Sequence, residues 1–296
     1  MTGDTVRYSV EHVTRYAHQA EVSTSMHVAY LHPRTLPYQQ VLDHALAVTP
    51  ASVNHHARTD YFGNTSESFS VVTPYTELSV TGRCRVEMTP RPMPDADASV
   101  DWASVREAFL FRPGVGDIGV AEFCYPSPYV AISPELASYA AASFPPGRTI
   151  VDGAIDLMRR IHREFQFDPA ATSVATPVSR VLSTRRGVCQ DFAHLQIGCL
   201  RALGLPARYV SGYLVTDPPA GQPRLIGADA SHAWLAVYCP RIGWVDLDPT
   251  NDVVPDDRHI TLAWGRDYGD VSPLRGVVLG GGEQVLHVGV SVIPGW

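Results

Sequence analysis

A helix bounded by glycines constrains the fold more than any other feature of the sequence. Gly187 interrupts the chain, an apolar-faced stretch covers residues 189–203, and Gly204 with Pro206 ends it. Glycine just past a helix and proline beyond it are helix stop signals. The pattern therefore predicts a helix that begins at Cys189 and buries its apolar face against the segments that flank it.

Alternating apolar and polar residues predict strands in the first third of the chain. In residues 77–88, aliphatic side chains alternate with charged and hydroxyl side chains, which is the period of a strand with one buried face. Residues 6–11 alternate in the same way, and residues 60–64 carry turn-forming side chains. Several strands at this spacing predict an N-terminal antiparallel β-sandwich.

The remainder of the chain predicts helices followed by strands. Helical spacing or capping signals mark residues 133–143, 151–165 and 176–186. Strand-like segments cover residues 207–215, 232–238 and 244–247, and the Gly- and Val-rich stretch 277–292 predicts a last hairpin.

These patterns together predict an α+β protein with two domains. The stretch 90–97 is rich in Pro and Asp and indicates a linker. We therefore expect a β-rich N-terminal domain at 1–92 and a core at 93–296 that carries the Cys189 helix. The C-terminal strands are candidates to pack back on the first domain.

Composition narrows the classes of function. The chain has 296 residues, of which 45% are hydrophobic and 18% charged, and its formal net charge is -7. It therefore lacks the basic footprint that nucleic-acid binding requires. The N-terminus shows no signal-peptide pattern, and no apolar run approaches the roughly 20 residues of a membrane-spanning helix. We expect a cytoplasmic protein with neither nucleic-acid nor membrane partners.

Five cysteines are scattered along the sequence: Cys84, Cys124, Cys189, Cys199 and Cys239. Their number is odd and no CxxC pair occurs, so the sequence predicts neither a zinc ribbon nor a disulfide framework. In a reducing compartment they are free thiols, and we expect Cys84, Cys199 and Cys239 to be buried and inert. No metal and no cofactor are predicted.

Cys189 is the exception among these thiols, because it stands at the start of a helix. A helix N-terminus carries about half a positive charge and unpaired N–H groups. Both stabilise a thiolate, which is the reactive form of cysteine. The backbone N–H of Cys189 is also a candidate donor to an oxyanion.

His232 and Asp248 are the predicted partners of Cys189. His232 begins one strand-like segment, and Asp248 ends the next, just before a proline that cannot continue it. Adjacent antiparallel strands would bring the two side chains together, which completes the nucleophile, base and orienting acid of a thiol protease. Asp246 is a competing acid, because residues two apart on a strand share a face.

Read together, these segments resemble the transglutaminase-like superfamily of thiol enzymes, which shares a papain-like core. The resemblance is carried by GVCQDFAHL, GLPARYVSGYL, DASHAW and GWVDLDPTN, in this order. The segments YSVEHVTRYAH, LHPRTLPYQQ and DYFGN resemble the β-rich N-terminal domain of bacterial members, and GRDYGDVSPLRGVVLGGG fits the same group. The resemblance covers nearly the whole chain. The group that it indicates is the bacterial transglutaminase-like cysteine proteases.

The resemblance implies a role for each residue of the triad. By it, Cys189 is the nucleophile, His232 the general base and acid, and Asp248 the residue that orients the imidazole. It also selects Asp248 over Asp246, a choice that the strand pattern leaves open.

Further residues near the triad are candidates for substrate binding: Gln190, Tyr209, Ser211, Asp229 and Trp234. For Asp229 a role in a turn is an equal alternative, and for Trp234 the alternative is a place in the core. Asp191 is expected to cap the first turn of the helix, and His194 to make a structural hydrogen bond to a neighbouring loop.

The predicted function is acyl transfer from peptide or protein amide bonds through a thioester on Cys189. Hydrolysis by a cysteine peptidase or amidase is placed first. Transamidation, or amide formation with an amine acceptor, uses the same residues. A peptide-binding module that keeps only the fold is the non-catalytic alternative. The sequence leaves the substrate, the role of the first domain and the oligomeric state open.

Overall fold

The computed structural model describes residues 5–110, 118–216 and 231–295, and these residues confirm the predicted α+β class. The strands are β1 (Val6–Ala29), β2 (Gln39–Thr49), β3 (Val53–Thr59), β4 (Thr65–Val71), β5 (Tyr75–Met88), β6 (Gln166–Phe167), β7 (Arg186–Gly187), β8 (Ala207–Leu214), β9 (Ser231–Cys239), β10 (Gly243–Leu247), β11 (His259–Gly265), β12 (Leu274–Gly280) and β13 (Gln284–Pro294). The α-helices are α1 (Trp102–Phe109), α2 (Ile118–Ala121), α3 (Pro134–Ala141), α4 (Ile150–Glu164), α5 (Val178–Thr184), α6 (Cys189–Ala202) and α7 (Tyr268–Val271). Short 3-10 helices cover Ala96–Ala98 and Glu122–Cys124.

Strands β1 to β5 form a large antiparallel sheet. Its strand order is β2-β5-β1-β4-β3, and β12 and β13 also pair with β1. The first half of β1 pairs with β5, and its second half pairs with β4. The register of the β1–β5 pairing shifts between Ala17 and Val22. A buried cluster joins Val22 with Phe69 of β4 and Leu78 of β5, so the sheet folds over a small core of its own.

The two C-terminal strands do not form the predicted hairpin. Both run antiparallel to β1: β12 pairs with its second half and β13 with its first half. Two strands antiparallel to the same strand run in the same direction, so they cannot be the arms of one hairpin. Three glycines at 280–282 join the two strands without reversing the chain. Their φ angles are +98°, +88° and +63°, in the region that favours glycine.

The second half of the chain surrounds α6 with helices and a small sheet. The four strands of this sheet have the order β10-β9-β8-β11. Residues 191–201 of α6 are all buried, because α3, α4 and α5 pack around the helix and β8 and β9 lie against it. The helix begins at Cys189 as predicted, so the nucleophile candidate lies where this buried helix reaches the surface.

Side-chain amides of the large sheet attach it to the edge of the small one. Thr261 of β11 donates its N–H to Gln39 Oε1 at 2.8 Å, and its carbonyl accepts from Gln39 Nε2 at 2.7 Å. Asn64 pairs in the same way with Trp264, at 3.0 and 2.8 Å. Because an edge strand has unpaired backbone groups, these two amides take the place of a further strand beside β11.

Candidate active site

Cys189 is the first residue of α6 and is half-buried. The Asp191 carboxylate accepts the backbone N–H of Val188 at 2.8 Å and the hydroxyl of Thr172 at 2.6 Å. Asp191 therefore caps the start of the helix, as predicted, and holds the turn that presents the thiol. A Cβ at Gly187 would lie 2.8 Å from both Cβ and Oδ2 of Asp191, so this turn requires glycine.

His232 and Asp248 meet because their strands are neighbours. His232 is the second residue of β9, Asp248 follows β10 directly, and the two strands pair antiparallel. His232 Nε2 lies 2.7 Å from Asp248 Oδ2. Cys189 and His232 line the same cleft, and the charge of the thiol acts on the imidazole. Since Nε2 faces the carboxylate, Nδ1 is the ring nitrogen left for the thiol.

Charge and burial shift the pKa values of His232 and Asp248 in opposite directions. Burial alone would lower the pKa of His232, but the hydrogen bonds and charges of Asp248 and Cys189 outweigh it and raise this pKa to about 10. Burial alone would raise the pKa of Asp248, and hydrogen bonds from His232 and His259 hold it well below its usual range instead. The geometry therefore favours a protonated imidazole beside an ionised carboxylate.

Two contacts of Asp248 were not expected from the sequence. Asn251 Nδ2 lies 2.7 Å from Asp248 Oδ2. His259 Nε2 lies 3.2 Å from the same oxygen and is itself buried. Asn251 follows three residues after Asp248 in a turn, which is a usable local signal. His259 lies on β11, beyond β8, and no local pattern indicates its approach.

Asp248 and Asp246, the two candidates for the orienting acid, have different partners in the structure. The Asp246 carboxylate pairs with Arg91 Nη1 at 2.8 Å and accepts from Trp234 Nε1 at 3.3 Å. It thus contacts an arginine outside the triad and does not contact His232. Because β10 ends at Leu247, the chain turns at Asp248 and carries that carboxylate to the imidazole.

The predicted substrate-binding residues fall into three groups. Gln190, Tyr209 and Ser211 line a cleft together with Cys189 and His232. Asp229 lies outside the described residues. Trp234 does not line the cleft and is 0% exposed. Its ring nitrogen donates a hydrogen bond to Asp246, and its ring packs against the imidazole of His232. A fully buried side chain presents no surface to a substrate, so the structure gives Trp234 a packing role.

The other thiols and His194 lie apart from the cleft. Cys84, Cys199 and Cys239 are buried, as predicted. Burial raises the pKa of Cys84 and of Cys124 to about 12, and that of Cys199 further. His194 Nε2 accepts the backbone N–H of Tyr268 at 3.1 Å, which confirms the predicted structural hydrogen bond.

Metal ligation is a second use that these side chains could serve. The ligand atoms of His232, Asp248 and His259 lie within 4.8 Å of one another. Two ligands of a tetrahedral zinc ion, each at about 2.0–2.1 Å, would be separated by more than about 3 Å. The 2.7 Å between His232 and Asp248 is instead a hydrogen-bond distance. The distance between His232 and Asp248 therefore fits the hydrogen bond of the proposed Cys189–His232–Asp248 triad better than it fits a metal centre.

Comparison with known proteins agrees with this geometry. Residues 140–249 match the family model of the transglutaminase-like superfamily, and residues 8–87 match that of the bacterial transglutaminase-like N-terminal region. An uncharacterized protein of Mycobacterium tuberculosis (strain ATCC 25618 / H37Rv) is 41% identical over 298 residues, which are 98% of this chain and 93% of that protein. The chain belongs to the transglutaminase-like superfamily.

Two further similarities place this transglutaminase-like protein among its relatives. The protein-glutamine gamma-glutamyltransferase of Pseudomonas aeruginosa is 35% identical over 130 residues, which are 40% of this chain and 20% of that protein. The crystal structure of a "putative cysteine protease" from Cytophaga hutchinsonii matches with a TM-score of 0.76 at 21% identity, covering 99% of this chain and 92% of that one. At this identity the structural match establishes the fold.

None of the described helices combines the length and the apolar character needed to cross a bilayer.

Proposed function

We propose that the protein is a cysteine-dependent acyl-transfer enzyme that hydrolyses amide bonds of peptides or proteins. The observation that carries the proposal is the arrangement of two side chains, Cys189 and Asp248, around the imidazole of His232. Cys189 and His232 line one cleft, and Asp248 Oδ2 lies 2.7 Å from His232 Nε2. A nucleophile, a base and an orienting acid in hydrogen-bond contact are the parts that covalent acyl transfer requires.

The first half of the reaction forms a thioester. The proton of the Cys189 thiol is already on His232 before the donor arrives, and the thiolate sulfur attacks the amide carbonyl carbon. The backbone N–H of Cys189, in the first turn of α6 where no preceding helical turn satisfies it, donates to the developing oxyanion. His232 then returns the proton to the amine as the C–N bond breaks, and the acyl group remains on sulfur.

The second half of the reaction returns the enzyme to its starting state. His232 takes a proton from water, whose oxygen attacks the thioester carbonyl. The C–S bond breaks, the carboxylic acid leaves, and the sulfur departs as a thiolate beside the protonated His232. Asp248 keeps the imidazole in one orientation through both halves, since its other oxygen is held by the backbone N–H of Thr250 at 2.9 Å.

Transamidation is the second candidate. The relative from Pseudomonas aeruginosa is named as a protein-glutamine gamma-glutamyltransferase, and the similarity covers 40% of this chain. A primary amine would then replace water in the second half, and an amide would form in place of the acid. The same three residues serve both reactions.

Thiol reactivity tests the shared first step. The protein is treated with iodoacetamide at neutral pH, and each cysteine is followed by peptide mapping in a mass spectrometer. We expect Cys189 to be alkylated before the other four cysteines, and the His232→Gln variant to slow it at least tenfold, in line with the 10²–10⁴ range of acid–base contributions. Equal rates at all five cysteines would contradict the proposal and favour a non-catalytic binding module.

A product analysis separates the two reactions. A library of glutamine-containing peptides is incubated with the protein, with and without a primary amine, and masses are recorded. Cleavage supports the hydrolase, whereas amine incorporation supports the transamidase. Cys189→Ala should abolish either product while leaving the melting temperature unchanged, and full activity in that variant would overturn both mechanisms.

A further inference from the structure

A cleft beside the catalytic thiol is built by both halves of the molecule. Its volume is about 230 Å³, below the roughly 300–1,000 Å³ of pockets that hold drug-sized ligands. Cys189 and His232 line it from the core, and strands β1 and β13 of the large sheet line it from the other side. Its size suits one amino-acid side chain or a short extended segment.

The wall contributed by the sheet consists of directly paired residues. Tyr16 pairs with Leu286, and Thr14 pairs with Val288. All four of these side chains line the cleft. Leu286 and Val288 are 52% and 51% exposed, so two aliphatic side chains stand partly uncovered next to the nucleophile. A substrate that covers them gains the free energy of burying apolar surface.

His12 forms the base of this wall without bringing a charge. Its two ring nitrogens lie 3.1 Å from the Tyr213 hydroxyl and 3.1 Å from the Thr14 hydroxyl, so both are engaged. Burial lowers the pKa of His12 to about 4, which leaves it neutral at pH 7. The contact with Tyr213 of β8 also fixes the sheet against the core at this point.

Charged side chains are absent from the described lining of the cleft. Apart from Cys189 and His232, its described residues are aliphatic, aromatic, amide or hydroxyl side chains, with neutral His12. A carboxylate or ammonium held against the wall formed by β1 and β13 would lose water without gaining an opposite charge from that wall, which costs several kcal/mol. An uncharged side chain avoids that cost.

We propose that β1 and β13 form a substrate subsite that takes an uncharged, mainly apolar side chain of the acyl donor. This inference rests on the proposed function, because it assumes that the donor is delivered to Cys189. It gives the N-terminal sheet a direct part in substrate choice.

Active-site alkylating peptides test the subsite without requiring turnover. Five dipeptidyl chloromethyl ketones are used, and each carries one residue type at both positions: Leu, Phe, Gln, Glu or Lys. The side chain that contacts the wall is then known whichever of the two positions lies there. The rate of Cys189 alkylation by each ketone is divided by the rate with iodoacetamide, which cancels differences in thiol reactivity. We expect the Leu and Phe ketones to react at least tenfold faster than the Glu and Lys ketones.

A charge placed on the wall should change the preference. Val288→Glu is expected to slow the Leu and Glu ketones about fivefold or more and to accelerate the Lys ketone. Val285→Glu is the matched control. Val285 is 57% exposed and lies on the same strand, but it is absent from the cleft lining and faces the opposite side.

The outcomes distinguish a failure of the subsite proposal from a failure of the proposed function. Equal normalised rates for all five ketones, or equal effects of Val288→Glu and Val285→Glu, would overturn the subsite while Cys189 still reacts with iodoacetamide. Absence of selective Cys189 alkylation by iodoacetamide would overturn the proposed function itself, and the subsite with it. The expected ranking together with the charge-dependent reversal supports the subsite.

Discussion

His259 Nε2 lies 3.2 Å from Asp248 Oδ2, the same carboxylate oxygen that the imidazole of His232 contacts at 2.7 Å. Asp248 therefore links two histidines, one beside the thiol and one on the far strand of the small sheet. The side chain of His259 is almost fully buried and packs edge-to-face on Trp234. The orientation of His232, the proposed base, thus depends on a residue that is not part of the cleft lining.

Replacing Asp248 by asparagine should reduce acyl transfer strongly. The amide would no longer hold the imidazole in one tautomer, and a comparable change in a serine triad lowers the rate by about 10⁴-fold. We expect at least a 10³-fold loss of kcat/KM on a peptide donor. Asp246→Asn removes a carboxylate two residues away and should change kcat/KM less than about threefold at a temperature where both variants are folded. Comparable losses in the two variants would contradict the assignment of Asp248.

His259 should act as a positioning residue. Removing its hydrogen bond in His259→Leu frees one side of the Asp248 carboxylate, so we expect kcat to fall roughly tenfold with little change in KM. His259→Gln keeps an amide donor and should recover part of the loss. The alkaline limb of the pH–rate profile should also move to higher pH in His259→Leu, because a carboxylate that has lost one hydrogen-bond donor interacts more strongly with the protonated imidazole. An unchanged profile with a lowered melting temperature would indicate packing alone.

The pKa of His232 predicts how stability varies with pH. Folding raises this pKa to about 10 from about 6.5, so the folded state binds the proton more tightly. Its contribution to stability is complete below pH 6.5 and is lost as the pH rises toward 10. Urea unfolding of the wild type and of His232→Gln should therefore differ most near pH 6.5 and least near pH 10. A difference that grows with pH would have the wrong sign.

Gln39 should be essential for attachment of the sheet to the core. Gln39→Leu leaves the N–H of Thr261 and the carbonyl of Arg34 without their Gln39 partner, and the Thr261 carbonyl keeps only its bond from the Arg34 N–H. Two unpaired groups cost about 2–5 kcal/mol of unfolding free energy. The neighbouring Gln40 is exposed, and Gln40→Leu should change stability by less than about 0.5 kcal/mol. The measurement is urea unfolding of both variants at pH 7, and similar losses would refute this role of Gln39.

Much of the core could be predicted because its signals are local. The glycine and proline that end the α6 helix, the acid three residues after Val188, and the short alternating strands each leave a pattern within a few residues. These signals gave the start of α6 at Cys189 and the cap by Asp191. The resemblance, in turn, selected Asp248, whose approach to His232 depends on where β10 ends.

The features that were missed depend on partners distant in sequence. Gln39 contacts Thr261 across 222 residues, and no periodicity records such a pairing. The hairpin prediction for residues 277–292 was wrong for a related reason. Three glycines between two strands resemble a turn, but β1 spans 24 residues and is long enough to pair with both strands in one direction.

The pairing of β13 with β1 has a consequence for synthesis on the ribosome. The chain carries Cys189, His232 and Asp248 well before residues 284–294 are made, and those residues supply Leu286 and Val288 beside the thiol. A nascent chain therefore acquires the proposed nucleophile, base and acid while the surface facing them is still incomplete. The cleft takes its final shape only when β13, which is translated after the three proposed catalytic residues, aligns with β1.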